Sequence, residues 1–277
     1  MQKLSLELLF HIIGIGSASG LFYANNSIFV ISDNGSLLYQ YNTADKSLGK
    51  SILINSDVTE NIKKKQKPDF EAFAHDEKNY YVFGSGSTEK RNRMVTVDRK
   101  TKNAISESDL TAIYTEMRVI SNMTADDFNI EGVVKKKDTW YFLNRGNGPA
   151  GRNIIFTING NLDTKGKITF KEFSLPQENN SKATFSDGVL VGNNLYFLAA
   201  AENSNSTYLD GDVLGSWVGR IDLKKMELAE IKKIDGNHKF EGIALFEEAK
   251  DSISFLLCED NDTKILESDI FKLTLKK

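Results

Sequence analysis

Four acidic residues in this chain are each followed by a small residue and an apolar pair. They are Glu71-Ala72-Phe73-Ala74, Glu131-Gly132-Val133-Val134, Asp187-Gly188-Val189-Leu190 and Glu241-Gly242-Ile243-Ala244. A fifth segment, Ser19-Gly20-Leu21-Phe22, has the same form with a hydroxyl in place of the acid. Carboxylates brought to one axis repel unless a cation binds, a basic side chain intervenes or some keep their protons. With one cysteine and three histidines in the whole chain, Glu71, Glu131, Asp187 and Glu241 are oxygen ligands for a hard divalent cation. Calcium is the first expectation, with magnesium or manganese next. The alternative is that these acids cap strands by accepting hydrogen bonds from neighbouring backbone amides, without a metal.

A second landmark keeps register with the first. Asp33, Ser85, Arg145 and Ala201 each lie 13 positions after Gly20, Ala72, Gly132 and Gly188, and Glu259 follows Gly242 by 17 across a longer hairpin. The polar segments at this landmark differ from repeat to repeat: Asp33-Asn34, Ser85-Gly86-Ser87, Arg145-Gly146-Asn147, Glu202-Asn203 and Glu259-Asp260. Varied groups at a fixed position suit a binding surface. Asp33, Asn34, Ser85, Ser87, Asn147, Glu202 and Asp260 are therefore the expected substrate contacts, and Arg145 is placed either to neutralise the acidic ring as a buried ion pair or to clamp an anionic group of a substrate.

The elements that must position these residues follow from the spacing. The small residues recur at steps of 52, 60, 56 and 54, a repeat architecture in which each unit buries its faces against its neighbours. Strand-like runs rich in Tyr, Phe, Val, Ile and Leu lie between the landmarks: Ser27–Ser32, Asn79–Phe83, Thr139–Leu143, Asn194–Ala199 and Ser252–Leu257. Third runs are Leu37–Tyr41, Met94–Asp98, Ile154–Ile158, Trp217–Asp222 and Ile270–Leu275; fourth runs are Ser51–Asn55, Ala112–Ile120, Ile168–Leu175 and Leu228–Ile234. The last repeat ends after three strands while the chain opens with a spare one, Lys3–Phe10. The expectation is one all-β domain over residues 1–277, a five-bladed β-propeller of four-stranded blades closed by the N-terminal strand. Six blades is the alternative, because residues 102–127 are ambiguous and Asp109–Tyr114 has the makings of a short helix.

Composition is that of an ordinary globular protein, with 40% hydrophobic and 26% charged residues. A net charge of -3 gives no general attraction to nucleic acid or an anionic membrane. The run Lys63-Lys64-Lys65-Gln66-Lys67 reads as a solvated loop. A single cysteine excludes an intrachain disulfide. Residues 1–13 superficially resemble a signal peptide, with Ala18-Ser19-Gly20 as a cleavage site, but Glu7 and His11 interrupt the apolar region. The expectation is a cytoplasmic monomer acting on a small molecule, with no nucleic-acid or membrane partner; export is the alternative.

Weaker motifs add little. Gly84-Ser85-Gly86-Ser87-Thr88 with Arg91 and Arg93 could nest an anion but lacks the setting of a nucleotide loop. Asp210-Gly211-Asp212 and Asp260-Asn261-Asp262 lack the remaining ligands of a calcium loop. Nothing in sequence gathers His11, His75 and His238 into a nucleophilic triad, and Cys258, ending an apolar run, reads as packing.

The pairs Glu131-Gly132, Asp187-Gly188 and Glu241-Gly242 resemble the inner-strand motifs of gluconolactonase/regucalcin, strictosidine-synthase-like and phytase-related esterase propellers. The combination of Asp69-Phe70-Glu71-Ala72, Gly84-Ser85-Gly86-Ser87, Asn144-Arg145-Gly146-Asn147 and Asp210-Gly211 resembles an uncharacterised bacterial propeller family, mainly of Bacteroidetes. The first resemblance implies channel acids acting as metal ligands; the second implies a fold without an activity. Gluconolactonases have six blades and a mixed Glu/Asn/Asp site, unlike the acidic ring here.

Together these readings lead to an expected calcium-dependent hydrolase of a small ester, lactone or phosphoester. In it Glu131 or Glu241 is the general base and Arg145 the substrate clamp. The alternative is a propeller that binds a ligand or protein without catalysis.

Overall fold

The computed structural model describes residues 4–162, 166–203, 212–259 and 265–277. The chain opens with β1 (Leu4–Ile13) and then forms a first blade from β2 (Ala18–Ala24), β3 (Ser27–Ser32), β4 (Leu37–Asn42) and β5 (Leu48–Ile52). The second blade is β6 (Phe70–His75), β7 (Asn79–Gly84), β8 (Arg93–Asp98) and β9 (Ala104–Asp109), followed by helix α1 (Thr111–Ser121). The third is β10 (Ile130–Lys136), β11 (Thr139–Asn144), β12 (Asn153–Asn159) and β13 (Lys167–Phe173). A small hairpin of β14 (Gln177–Glu178) and β15 (Ser181–Lys182) leads to the fourth, β16 (Thr184–Val191), β17 (Asn194–Glu202), β18 (Val213–Asp222) and β19 (Glu227–Asp235). The fifth is β20 (Phe240–Glu248), β21 (Ser252–Glu259) and β22 (Glu267–Lys276), completed by β1.

The protein is thus a five-bladed β-propeller of four-stranded antiparallel blades, closed by its N-terminal strand. β1 runs antiparallel to β22, from Leu4 opposite Leu275 to Ile13 opposite Glu267. This seam pairs strands from the two ends of the chain, removing an edge that each would otherwise expose.

Each blade is sandwiched between two others, so its middle strands are apolar on both faces, while outer strands such as β5 and β9 stay polar or exposed. In β11, Trp140 and Phe142 pack toward the second blade while Tyr141 and Leu143 pack toward the fourth. Five apolar clusters fill the five seams between blades. Truncating a fully buried seam residue such as Phe142 or Phe255 to Ala would cost about 3–5 kcal/mol.

The glycines of the repeat permit the inner strands to approach. A Cβ on Gly132 would lie 3.1 Å from Asp187 Cα, and one on Gly242 would lie 3.1 Å from Leu21 Cβ and 2.5 Å from Cys258 Sγ.

Two differences from the sequence reading are local. Ala112–Ile120, expected as a strand, lies within α1, because Ile113, Tyr114, Met117 and Ser121 bury one helical face. The fourth strand of that blade is instead β9, a polar and largely exposed edge with no apolar pattern to announce it. The outer strand of the first blade is Leu48–Ile52 rather than Ser51–Asn55.

Candidate functional site

The five inner strands β2, β6, β10, β16 and β20 surround the axis, and each begins at the same end of the channel. Every one carries a β-bulge at its start. The unpaired residue is Ser19 in β2, Glu71 in β6, Glu131 in β10, Ser186 in β16 and Glu241 in β20. Bulges bend a strand and re-aim a side chain. The blades without an acid at this position show what the bulged side chain does structurally: Ser19 Oγ donates to Phe70 O at 2.5 Å, and Ser186 Oγ donates to Phe240 O at 2.8 Å. Each ties its blade to the next.

Asp187 falls one residue beyond the bulge and has a similar task. Its Oδ2 accepts a hydrogen bond from Ile243 N at 2.9 Å, across the seam to the fifth blade. Burial holds its carboxyl well above the usual range despite that bond. Of the four expected metal ligands, this one caps a strand.

The other three acids face the channel mouth in two groups. On one side Glu131 Oε1 accepts from Asn129 Nδ2 at 2.6 Å and from Arg145 Nη1 at 3.3 Å. Arg145 Nη2 reaches Glu202 Oε2 at 2.9 Å, and Lys239 Nζ lies 3.1 Å from Glu202 Oε1 and 2.8 Å from Glu241 Oε1. The result is an alternating chain of charge across the third, fourth and fifth blades, all of it buried. Burial, offset by Arg145 and Lys239, raises the Glu131 carboxyl. Burial also pushes Glu241 up to about 7, with Lys239 and Arg145 opposing and the Glu131 charge assisting.

On the other side Asp33, Asp69 and Glu71 bring carboxylate oxygens within 4.8 Å of one another and form a group that could hold a metal ion. Lys67 reaches into it, bonding Asp33 and lying 2.9 Å from Asp69 Oδ1; Arg91 Nη1 lies 2.8 Å from Asp69 Oδ2. Ser85 Oγ donates to Asp69 Oδ2 at 2.5 Å. Asp69 sits at φ 57°, in the left-handed region that a non-glycine residue occupies only under constraint. Glu71 is partly exposed, and burial together with Glu131, Asp69 and Asp33 raises its carboxyl well above the usual range against the pull of Lys67.

Glu71, Glu131, Asp187 and Glu241 therefore share the channel mouth but do not form one ligand set. Basic side chains have entered between Glu131 and Glu241, a backbone amide occupies Asp187, and Glu71 joins Asp33 and Asp69 instead. Among the described residues, the mouth assembles seven carboxylates (Asp33, Asp69, Glu71, Glu131, Asp187, Glu202, Glu241) against four cations (Lys67, Arg91, Arg145, Lys239). Burial is the largest cause raising the Glu71, Asp187 and Glu241 carboxyls, and the Glu131 charge adds to it in each.

The remaining expected contacts divide. Asp33 and Glu202 belong to the network, and Asn147 lines a recess beside Arg145. Ser85 and Ser87 face Asp69 and Arg91, so the Gly84–Thr88 loop surrounds a carboxylate of the protein rather than an outside anion. Asn34 bonds Ser17 Oγ at 2.9 Å and accepts from Ser32 Oγ, a loop staple. Asp260, together with Asp210, Gly211, Asn261 and Asp262, lies outside the described residues. None of the histidine rings meets a serine hydroxyl among the described residues: His11 pairs with Asp269, His238 with Glu259, and His75 packs tilted against the Phe22 ring.

The sequence reading missed Asp69, Asn129 and Lys239. Each stands two residues before a bulged acid, in Asp69-Phe70-Glu71, Asn129-Ile130-Glu131 and Lys239-Phe240-Glu241. Strand alternation places such residues on one face, so the period-2 pattern was available as a signal. Lys67 carries none, since it arrives from an irregular loop.

Below the charged layer the channel turns apolar. An 80 Å³ cavity is lined by Leu21, Phe73, Val133, Val189 and Ile243, one from each inner strand. No helix among the described residues is long and apolar enough to cross a membrane.

Comparison with curated proteins yields no match. Among solved structures the chain is similar to a luciferin-regenerating enzyme, at 9% identity and TM-score 0.51, covering 99% of this chain and 97% of that one. It is also similar to the PQQ-bound aldose sugar dehydrogenase of Streptomyces coelicolor, at 11% identity and TM-score 0.50, covering 99% and 98%. A tail fiber of Staphylococcus aureus phage P68 matches at 12% identity and TM-score 0.52, over 99% of this chain and 53% of that one. At these identities the likeness is one of fold. A family model matches residues 14–275, nearly the whole propeller, and the chain belongs to that family, the Family of unknown function (DUF6929).

Proposed function

We propose that the channel mouth is the active site of a hydrolase acting on a small ester, lactone or phosphoester, with the protein working as a monomer. The observation that carries this reading is the excess of carboxylates over cations at the channel mouth, five of the seven acids buried, beside an open recess. Burying unneutralised charge costs several kcal/mol per ion, and a fold staple needs no more than the serines of the first and fourth blades supply. Fold likeness to two enzymes is consistent with the reading and adds nothing about substrate.

Glu241 is the general base in this proposal. A carboxylate held near 7 takes a proton from water at neutral pH more effectively than one at its ordinary value. Arg145, fixed between Glu131 and Glu202, orients an anionic group of the substrate. Asp33, Asp69 and Glu71 are the divalent-cation site, and an all-oxygen set of this kind suits calcium. The ammonium of Lys67 stands in the same space, so ion and lysine compete for Asp33 and Asp69. A bound cation would polarise a substrate oxygen and lower the pKa of an attached water.

The test is turnover of an ester, lactone and phosphoester panel by purified protein, with calcium or with chelator. Hydrolysis supported by calcium is expected. A protein whose melting ignores both calcium and chelator, and which turns over no member of the panel, overturns the proposal.

A further inference from the structure

We propose that the recess at the far end of the seam between the fourth and fifth blades binds a small monocarboxylate with an apolar body. It lies at the opposite end of the strands from the channel mouth, so the proposal stands apart from the chemistry assigned there.

The second blade shows what the fourth lacks. Counted from the bulged residue of each inner strand, Tyr81 and Tyr196 occupy the same place, ten positions on. They pair with Ala74 and Val189 of those strands, and each faces the seam to the next blade. In the second blade the tyrosine belongs to a closed triad. Its hydroxyl donates to Asp76 Oδ2 at 2.7 Å, and Lys135 Nζ reaches the same oxygen at 2.6 Å. Asp76 stands five positions after the bulge, and the same position in the fourth blade is Val191. A hydrocarbon cannot accept, and Tyr196 makes no hydrogen bond among the described residues. Burial holds its hydroxyl above the ordinary value, so at neutral pH it is a donor without an acceptor.

The cation of the triad is present but comes from another strand. Lys135 has Leu245 as its counterpart in the fifth blade, and the charge is supplied instead by Arg220, directly opposite Tyr196 on β18. The second and third blades carry Thr96 and Thr157 at that place. Arg220 donates Nη1 to Asn194 Oδ1 at 3.2 Å and forms no ion pair among the described residues. The nearby acids are taken. Glu230, opposite Arg220 on β19, pairs with Lys232 Nζ at 2.6 Å, and Glu248 pairs with Lys277 Nζ at 2.8 Å. A guanidinium with most of its donors unused and a phenol without an acceptor therefore line one recess. Neither is sealed from it, since both residues are only half-buried.

The recess has a volume of about 400 Å³, within the ~300–1,000 Å³ of small-molecule sites. Val191, Ile253 and Leu275 give it an apolar floor. The planar fork of Arg220 matches a carboxylate, and Tyr196 adds a hydroxyl donor as Tyr81 does for Asp76. A ligand carboxylate thus takes the part that Asp76 plays in the second blade, with its body over the apolar floor. A more highly charged anion is disfavoured, because Glu230 and Glu248 border the recess.

Isothermal titration calorimetry tests this with phenylacetate and hexanoate, which join a carboxylate to an aryl or an alkyl body. Acetate lacks the body, benzyl alcohol lacks the charge, and inorganic phosphate is the more highly charged anion. At least one of the first two should bind, tighter than all three controls and more weakly as salt rises. Which of them binds better tells aryl from alkyl. Arg220→Met should weaken binding about tenfold and leave melting unaltered, since the guanidinium leaves no partner charge stranded. Tyr196→Phe should weaken it about fivefold, the loss of one hydrogen bond. Val191→Asp supplies the acid from the chain itself and should abolish binding. No binding of phenylacetate or hexanoate, a control bound equally well, or unchanged affinity in both Arg220→Met and Tyr196→Phe overturns the proposal.

Discussion

The guanidinium of Arg145, on the third blade, stands 2.9 Å from the carboxylate of Glu202, on the fourth, with both side chains buried. The same guanidinium reaches Glu131 at 3.3 Å, so one cation holds two acids from adjacent blades. Removing it strands both. Arg145→Met should lower unfolding free energy by about 3–5 kcal/mol, read from the urea midpoint. A change within experimental error would mean that water already neutralises these acids.

Stability and activity should move oppositely with pH. Glu241 holds its proton up to about 7, against an ordinary 4.5. Between those values the native state binds more protons than the unfolded chain, so stability falls as pH rises through the window and levels off above it. Glu71 and Asp187, also raised, act in the same direction. General-base activity rises over the same window as Glu241 ionises. Melting temperature and hydrolysis rate, measured from pH 4 to 8, check both slopes; Glu241→Gln should flatten part of the first.

Lys67 is the internal competitor for the cation site. Lys67→Met removes the ammonium from Asp33 and Asp69, leaving carboxylates that repel. The variant should melt lower than wild type in chelator, recover on adding calcium, and bind calcium about tenfold more tightly. Equal calcium response in the two proteins would show that Lys67 and the ion do not share the site.

Much of the fold could be read from the sequence because a propeller repeats its constraints. The small residues at 20, 72, 132, 188 and 242 mark where inner strands touch, and the spare N-terminal strand completes the fifth blade. The helix Thr111–Ser121 is only half legible: a short helix over Asp109–Tyr114 is one reading of its start, but adjacent apolar pairs make Ala112–Ile120 pass for a strand, while β9 buries almost nothing. At the site, the position of the acids was legible but their partners were not. A bulge leaves no mark in composition, so the one-residue offset that gives Asp187 a backbone amide was hidden. Lys67 and the β14–β15 hairpin come from irregular connections, where neither period 2 nor the repeat constrains what is present.

The most direct measurement is the hydrolysis rate of Glu241→Gln beside wild type, on whichever panel substrate wild type turns over, with melting recorded for both. Glutamine keeps the shape and hydrogen-bonding reach of the side chain but cannot take a proton. The account predicts a loss of about 10²- to 10⁴-fold in a protein that melts no lower than wild type. A variant that folds equally well and retains the wild-type rate would contradict it.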